Sequence, residues 1–340
     1  MKLIQYLSVG LLLLTGSLPL SSAQKAPAPM YRDPVTDGAA DPVLVWNRSE
    51  QTWWMLYTQR RANTEAEQVA YCYGTAIGIA SSDDHGASWV YRGTLNLRID
   101  PGHNTFWAPD IVWHNGKYHL FVAYIRGVRT HWGGRAQIVH FTSDDLWQWN
   151  YEGTPQLSSE RVIDPTLLQT PDGTWHMWYK DETRGAVTMH ATSRDLFHWQ
   201  CDAQPAIGGR AHEGAKAFRW KGRYWMLTDQ WRGMQVYCSD DLRHWEPQGV
   251  ILDTPGSRRD DTPQGAHGEV VVCGEQAYVI YFTHPGRTEH TAEHPDPVTH
   301  IIPFAERRSS IQAAELRVVN DTLRCDRNAD FDFYLSEPKH

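Results

Sequence analysis

Helical periodicity is almost missing from this chain of 340 residues, and no apolar run beyond its first residues is long enough to cross a bilayer. No Cys-x-x-Cys or other metal-type cysteine spacing occurs either. These gaps speak against a helical bundle, a zinc module and a helical membrane protein. Positive charge is also short. Lys and Arg number 32 against 40 Asp and Glu, a formal net charge of −8, which argues against nucleic acid or an anionic membrane as partner. The five cysteines, Cys72, Cys201, Cys238, Cys273 and Cys325, form an odd set. At least one thiol is therefore free or pairs between chains, and spacing assigns no bridge. Aromatic residues are plentiful, with 16 Trp and 15 Tyr, enough for a core and for apolar platforms that take sugar faces.

The first residues read as a secretory signal. Lys2 opens a short positive region, Val9 to Leu14 is almost wholly apolar, and Ser21-Ser22-Ala23 is a small-residue cleavage site. Cleavage near Ala23 leaves residues 24–340 as a single domain in the periplasm or the medium, without membrane insertion.

Two repeats organise the rest. Ser82-Asp83-Asp84 with Trp89, Ser143-Asp144-Asp145 with Trp149, Ser193-Arg194-Asp195 with Trp199, and Ser239-Asp240-Asp241 with Trp245 are one turn written four times. Asp side chains bond nearby backbone N–H groups in such turns, so these acids are structural. The Trp recur at roughly fifty-residue intervals, a period of propellers and solenoids. Each unit has room for about four short strands, so the expected fold is all-β, a five-bladed β-propeller whose first strands line a central cavity holding the active site.

The second repeat lies in those first strands. Counting back from the aromatic after each hairpin turn, Tyr224 leads to Glu213, Trp175 to Asp164, Tyr118 to Trp107, Tyr278 to His267 and, with one extra residue, Trp53 to Asp41. One equivalent position thus reads Asp41, Trp107, Asp164, Glu213, His267. A packing position carries similar residues in every copy; this one carries the most reactive. Three carboxylates converging on one channel suit glycosidic hydrolysis, which needs an acid for the leaving oxygen and a base or nucleophile for the sugar. Glu213 is the expected general acid, its pKa raised by burial and a neighbouring anion. Asp41 is the expected general base and Asp164 the group that tunes and orients Glu213. Placement across the channel favours inversion, which needs carboxyl groups about 6.5–9.5 Å apart, over retention at about 5 Å. Long loops at Arg60–Gly74, Arg126–Arg135 and 283–310 favour a closed pocket and exo action.

Ala40-Asp41-Pro42, Trp107-Ala108-Pro109-Asp110, Ile163-Asp164-Pro165, Glu213-Gly214 and Gln264-Gly265-Ala266-His267-Gly268-Glu269, in this order, resemble glycoside hydrolase family 43, with families 117 and 32 as relatives of the same architecture. The resemblance spans residues 38–320. It implies an inverting exo- or endo-hydrolase of arabinose-, xylose- or galactose-containing glycans, with the three roles above and a carbohydrate as partner. No cofactor is required, but the resemblance implies that His267 faces a central calcium or its water shell. The tail Arg307-Arg308-Ser309-Ser310 departs from the family pattern.

Further substrate contacts are expected from Trp107, Asp110, His212, Arg60, Arg61, Asn63 and Arg308. Each has a plainer reading: core packing for Trp107, backbone bonding for Asp110, a blade cap for His212, and solvated loop charge for the loop residues. Asp41 and Asp164 have one too, as strand-opening residues whose prolines fix the backbone. Rival functions are a retaining hydrolase or transglycosidase on the same scaffold, a non-catalytic glycan-binding propeller, and a protein-docking propeller.

Overall fold

The structure is a computed structural model that describes residues 24–338, so the expected signal segment 1–23 lies outside the described residues. Five four-stranded antiparallel sheets follow one another along the chain. Blade one holds β2 (Ala39–Asn47), β3 (Thr52–Gln59), β4 (Ala76–Ser82) and β5 (Val90–Thr94); blade two holds β6 (Thr105–His114), β7 (Lys117–Ile125), β8 (Gln137–Ser143) and β9 (Asn150–Gly153). Blade three holds β10 (Val162–Gln169), β11 (Trp175–Asp181), β12 (Val187–Ser193) and β13 (Gln200–Cys201). Blade four is β14 (Glu213–Trp220), β15 (Arg223–Asp229), β16 (Met234–Ser239) and β17 (Glu246–Ile251). Blade five is β18 (Ala266–Cys273), β19 (Gln276–Thr283), β20 (Ser310–Val319) and β21 (Thr322–Cys325). The inner strands β2, β6, β10, β14 and β18 contact one another in order, and β18 returns to β2, closing the ring. The fold is the expected all-β five-bladed propeller.

The middle strands of each blade bury both faces, because a blade is packed between two neighbours. Val43, Val45, Trp54 and Leu56 of blade one meet Ile111, Leu120 and Val139 of blade two, while Leu44, Met55 and Tyr57 meet Ile280 and Ala313 of blade five. Strands buried on both sides read as continuous apolar runs rather than alternating ones. The four Ser–Asp turns are structural as expected. Asp145 accepts from the N–H groups of Trp147 and Gln148, and Trp149 Nε1 donates to the Leu146 carbonyl at 2.9 Å. Asp195 and Asp241 repeat the pattern.

Closure of the ring differs from ordinary strand exchange. All four strands of blade five are contiguous in the chain, and the N-terminal segment instead pairs β1 (Gln24–Lys25) with β22 (Asp332–Phe333) outside the blades. Met30, Tyr31, Phe331, Phe333 and Leu335 fill the seam between blades five and one. All five cysteines are free.

Every inner strand carries a bulge at the same place. Pairing with the second strand breaks between Ala40 and Val43, Trp107 and Asp110, Ile163 and Thr166, Glu213 and Lys216, and Ala266 and Glu269. At the bulge Asp41, Ala108, Asp164 and Gly214 are left-handed, with φ of 49°, 45°, 57° and 57°. This corrects the register read from the sequence. Asp41, Asp164 and His267 are equivalent to Ala108 and Gly214, whereas Trp107 and Glu213 stand one residue earlier, level with Ala40, Ile163 and Ala266. Longer hairpins in blades one and three, and in blade five a reference aromatic, Tyr278, one residue further along its strand, produced the slip. A bulge sets two residues against one, so both positions can turn toward the axis. Prolines 42, 109 and 165 follow the kink, where the ladder is interrupted and no N–H is needed.

The bulges also hook the blades together. Ala108 N–H donates to Thr58 Oγ1 of blade one at 2.8 Å, Gly214 N–H to Asp164 of blade three at 3.1 Å, and His267 N–H to Asp229 of blade four at 3.0 Å. One layer deeper, Leu167 N–H donates to Asp110 Oδ2 at 2.6 Å. There Lys216 Nζ sits between Asp110 at 3.2 Å and Glu269 at 2.8 Å, joining three blades through one ammonium. Replacing Lys216 by Met leaves two buried carboxylates without their cation. The expected loss is about 3–5 kcal/mol of unfolding free energy, measured by urea denaturation.

Candidate active site

A cavity of ≈ 490 Å³ opens over the bulges and is lined by Asp41, Trp107, Ile163, Asp164, Glu213 and His267 from the inner strands. The second strands add Lys180, and the blade-four hairpin adds Trp231. The long loops supply the remaining wall: Arg60 and Cys72, Trp132 and Gly133, and His284 to Glu293. This size suits one or two sugar rings rather than a long groove.

Asp41 is buried and lies 3.6 Å from Arg60 Nη2 and 3.5 Å from His267 Nδ1. Burial alone would raise its pKa, but the two cations outweigh it and hold the carboxyl well below the usual range. His267 is affected in the opposite sense. Burial favours the neutral ring, while Asp41 and Asp164 push it up to about 9, so it is an imidazolium at neutral pH. Asp164 is pushed up to about 6, chiefly by burial and then by Glu213 against the pull of His267.

Glu213 is held on two sides. Lys180 Nζ donates to Oε2 at 2.9 Å and the Trp231 indole N–H to Oε1 at 2.8 Å. Burial favours its proton, yet Lys180 and the two hydrogen bonds prevail, and its pKa is lowered. This lowering corrects the raised value expected from the sequence. A cation from the neighbouring blade, invisible in the local motif, sets the balance. The residue after it must be glycine: a Cβ on Gly214 would lie 2.7 Å from His267 Cγ, and its φ is positive.

The other expected contacts divide. Trp107 lines the cavity, its indole anchored to the Cys72 carbonyl at 2.6 Å and its ring packed on Tyr73 and Trp132. Arg60 also lines it, stacked 4.8 Å over Phe282 and bonded to His284. The remaining five serve the scaffold. Asp110 is bound by Leu167 and Lys216 below the cavity. His212 is buried against Thr188 and the Arg210 carbonyl. Arg61 holds the Tyr73 and Ala70 carbonyls, and Asn63 the Val35 carbonyl. Arg308 pairs with Asp37 and Asp260 at the seam between blades five and one.

Sequence reasoning missed Lys180, Trp231, Arg287 and His290. Lys180 had a signal, a lone cation closing the apolar strand Trp175–Asp181. The strap between β19 and β20 was legible as a long loop but not residue by residue, because the placement of Arg287 and His290 comes from distant partners. Arg287 donates to the Tyr71 hydroxyl at 2.7 Å and to Glu293 at 2.9 Å, and Gln68 N–H to the His300 carbonyl at 2.7 Å. These bonds tie the strap to the insertion of blade one, over the cavity.

A calcium at His267 does not fit these residues. His267 Nδ1 is turned to Asp41 at 3.5 Å, and calcium takes six to eight oxygens rather than a ring nitrogen. Below it, the Lys216 ammonium already occupies the space between the acids Asp110 and Glu269. Among the described residues no group of three or more His, Cys, Asp and Glu is arranged to hold a metal ion.

Comparison with known proteins places this geometry. Residues 96–231 match the model of Glycosyl hydrolases family 43. The protein named "Probable arabinan endo-1,5-alpha-L-arabinosidase A" from Aspergillus fumigatus is 26% identical over 182 residues, 49% of this chain and 55% of that protein. Its namesake from Neosartorya fischeri is 24% identical over 183 residues. The chain spans about half the length of the curated relatives it matches. A thermostable family-43 glycoside hydrolase superposes with a TM-score of 0.61 at 16% identity, over 87% of this chain and 95% of the other. A family-43 β-xylosidase/α-arabinofuranosidase from a compost metagenome gives 0.59 at 15% identity, over 86% and 96%. A family-43 β-1,3-galactosidase gives 0.63 at 13%, over 88% and 98%. At such identities the structures establish a shared fold, and the likeness to family 43 holds in sequence and in architecture.

Two outcomes follow from the charges. Lys180→Met removes the cation on Glu213, so its carboxyl should titrate about 1–3 units higher, read by ¹³C NMR of glutamate-labelled protein. Saturating chelator should leave the Tm unchanged in a thermal melt, because Lys216 rather than a bound ion joins the inner strands.

Proposed function

We propose that this family 43-like propeller is a secreted, inverting glycosidase that removes arabinose-, xylose- or galactose-type residues from the ends of plant or algal glycans. The observation that carries the reading is the convergence of Asp41, Asp164 and Glu213, from three blades, on one cavity walled by Trp107, Trp132 and Trp231. Carboxylates in that setting serve protonation of the leaving oxygen and activation of water, and indole rings take the apolar sugar face. The printed names of the relatives, an arabinosidase, a β-xylosidase/α-arabinofuranosidase and a β-1,3-galactosidase, support the sugar range.

Asp41, kept ionised by Arg60 and His267, is the base that takes a proton from the attacking water. Glu213 is the acid. It must hold a proton when the glycosidic oxygen leaves, and a bound sugar that displaces solvent works in that direction. Lys180 has Glu182 as a second partner at 3.8 Å, so its ammonium has somewhere else to lean once the site is filled. Asp164 holds the Gly214 N–H, and with it the Glu213–Gly214 peptide, while its charge favours the Glu213 proton. Exo action is supported by the strap and the blade-one insertion, which bond to each other over the cavity. Secretion rests on the leader-like residues 1–23.

Incubation with a panel of arabino-, xylo- and galacto-oligosaccharides should release monosaccharide from one end. Glu213→Gln and Asp41→Asn should each lower kcat by about 10²–10⁴-fold in folded protein. NMR of the first-formed anomer should show inversion. Saturable sugar binding without product would replace this reading by a glycan-binding propeller, and a retained anomer would replace the inverting one.

A further inference from the structure

The second strand of each blade places one residue opposite the first bulge residue of the inner strand. These five are Thr58, Ala123, Lys180, Asp229 and Phe282, paired with Ala40, Trp107, Ile163, Glu213 and Ala266. In blade one Thr58 hooks the next blade with a neutral hydroxyl, accepting from Ala108 N–H. In blade four Asp229 makes the same hook, accepting from His267 N–H. A hydroxyl suffices for that bond, so a fully buried carboxylate in its place is costly without another use. Its neighbourhood supplies one. Asp229 is paired directly across from Glu213, and such residues have Cβ atoms about 4.5–5.5 Å apart. Its Oδ1 accepts from the backbone N–H of Trp231 at 2.7 Å, fixing the turn whose indole grips Glu213. Its Oδ2 fixes the backbone of His267, the partner of Asp41.

We propose that Asp229 is a positioning residue for Glu213, a buried counter-charge to Lys180 that also links the supports of Glu213 and Asp41. This deepens the glycosidase reading and rests on it. Lys180, bound to Glu213, draws its proton away; an anion across the strand pair returns it. The influence is mutual, since burial and Glu213 push the Asp229 carboxyl up to about 7. Asp229 lies outside the lining of the cavity and so acts through Glu213 rather than on the sugar. The charged and titratable groups around the pair are Lys180 and Asp164 of blade three, His267 of blade five, Arg60 of the blade-one insertion and His290 of the strap, whose Nε2 is 4.0 Å from Asp229.

Asp229→Thr tests this, because blade one shows that threonine keeps the hook; Asp229→Asn is the isosteric second variant. Removing the anion should let Glu213 ionise about one unit lower, seen by ¹³C NMR of glutamate-labelled protein without turnover. The alkaline limb of kcat should move down equally, lowering kcat about tenfold above the limb with KM changed less than about twofold. Lys180→Met should move both in the opposite direction. Titration and pH–rate curves that superimpose on those of the wild type, in folded variants, overturn the proposal, even if Tm and kcat fall. If the wild type hydrolyses nothing, the glycosidase reading fails, and the NMR titration still decides whether Asp229 controls Glu213.

Discussion

A backbone kink at the head of every inner strand is the constraint on which the molecule depends. Left-handed conformation at a residue other than glycine costs about 1–3 kcal/mol and persists only where its surroundings enforce it. Here Asp41, Ala108 and Asp164 all adopt it, and side chains from neighbouring blades bond the kinked backbone at Ala108 and Gly214. The kink interrupts the ladder, turns two adjacent residues toward the axis and, in blades two, four and five, presents an N–H that a side chain of the preceding blade captures. Blade assembly and site assembly are therefore the same set of contacts.

Charge is managed in two layers along the channel. In the deeper layer Lys216 bridges Asp110 and Glu269 and ties three blades together, while burial still pushes the Glu269 carboxyl up to about 7. In the upper layer Arg60, Lys180 and His267 face Asp41, Asp164, Glu213 and Asp229, and the balance is left incomplete. Asp41 is held strongly ionised while Asp164 and Asp229 are pushed toward protonation. Titratable groups whose environments drive their proton affinities apart are the signature of acid and base roles divided among like residues. The strap and the blade-one insertion supply the wall of the cavity above this layer.

The blades were legible because their turn chemistry is local. A Ser-x-Asp turn bonds residues two and three positions away, so Ser143, Asp145 and Trp149 report the same structure wherever they recur. Carboxylates standing where other copies carry apolar residues were legible too, as Asp41, Asp164 and Glu213 show. The register of those positions was not. Counting through hairpins assumes equal turns and an aromatic at the same place in each second strand, and neither holds: the hairpins of blades one and three are longer, and Tyr278 stands one residue further along β19. The partners of the other polar candidates were not legible either: His212 and Asp110 bond backbone groups in adjacent strands, Arg61 and Asn63 bond loop carbonyls, and Arg308 pairs with acids at a seam.

The sequence alone determined the five all-β units, the structural acids of the turns and the three carboxylates at the strand heads, because each depends on residues close together in the chain. Tertiary structure decided which residue of each bulge is equivalent, that Lys180 and Trp231 hold Glu213, that Arg60 and His267 hold Asp41, and that a strap from blade five roofs the cavity. Those contacts join residues tens to hundreds of positions apart, and electrostatic balance in a buried site depends on what surrounds a group in space rather than on what precedes it along the chain.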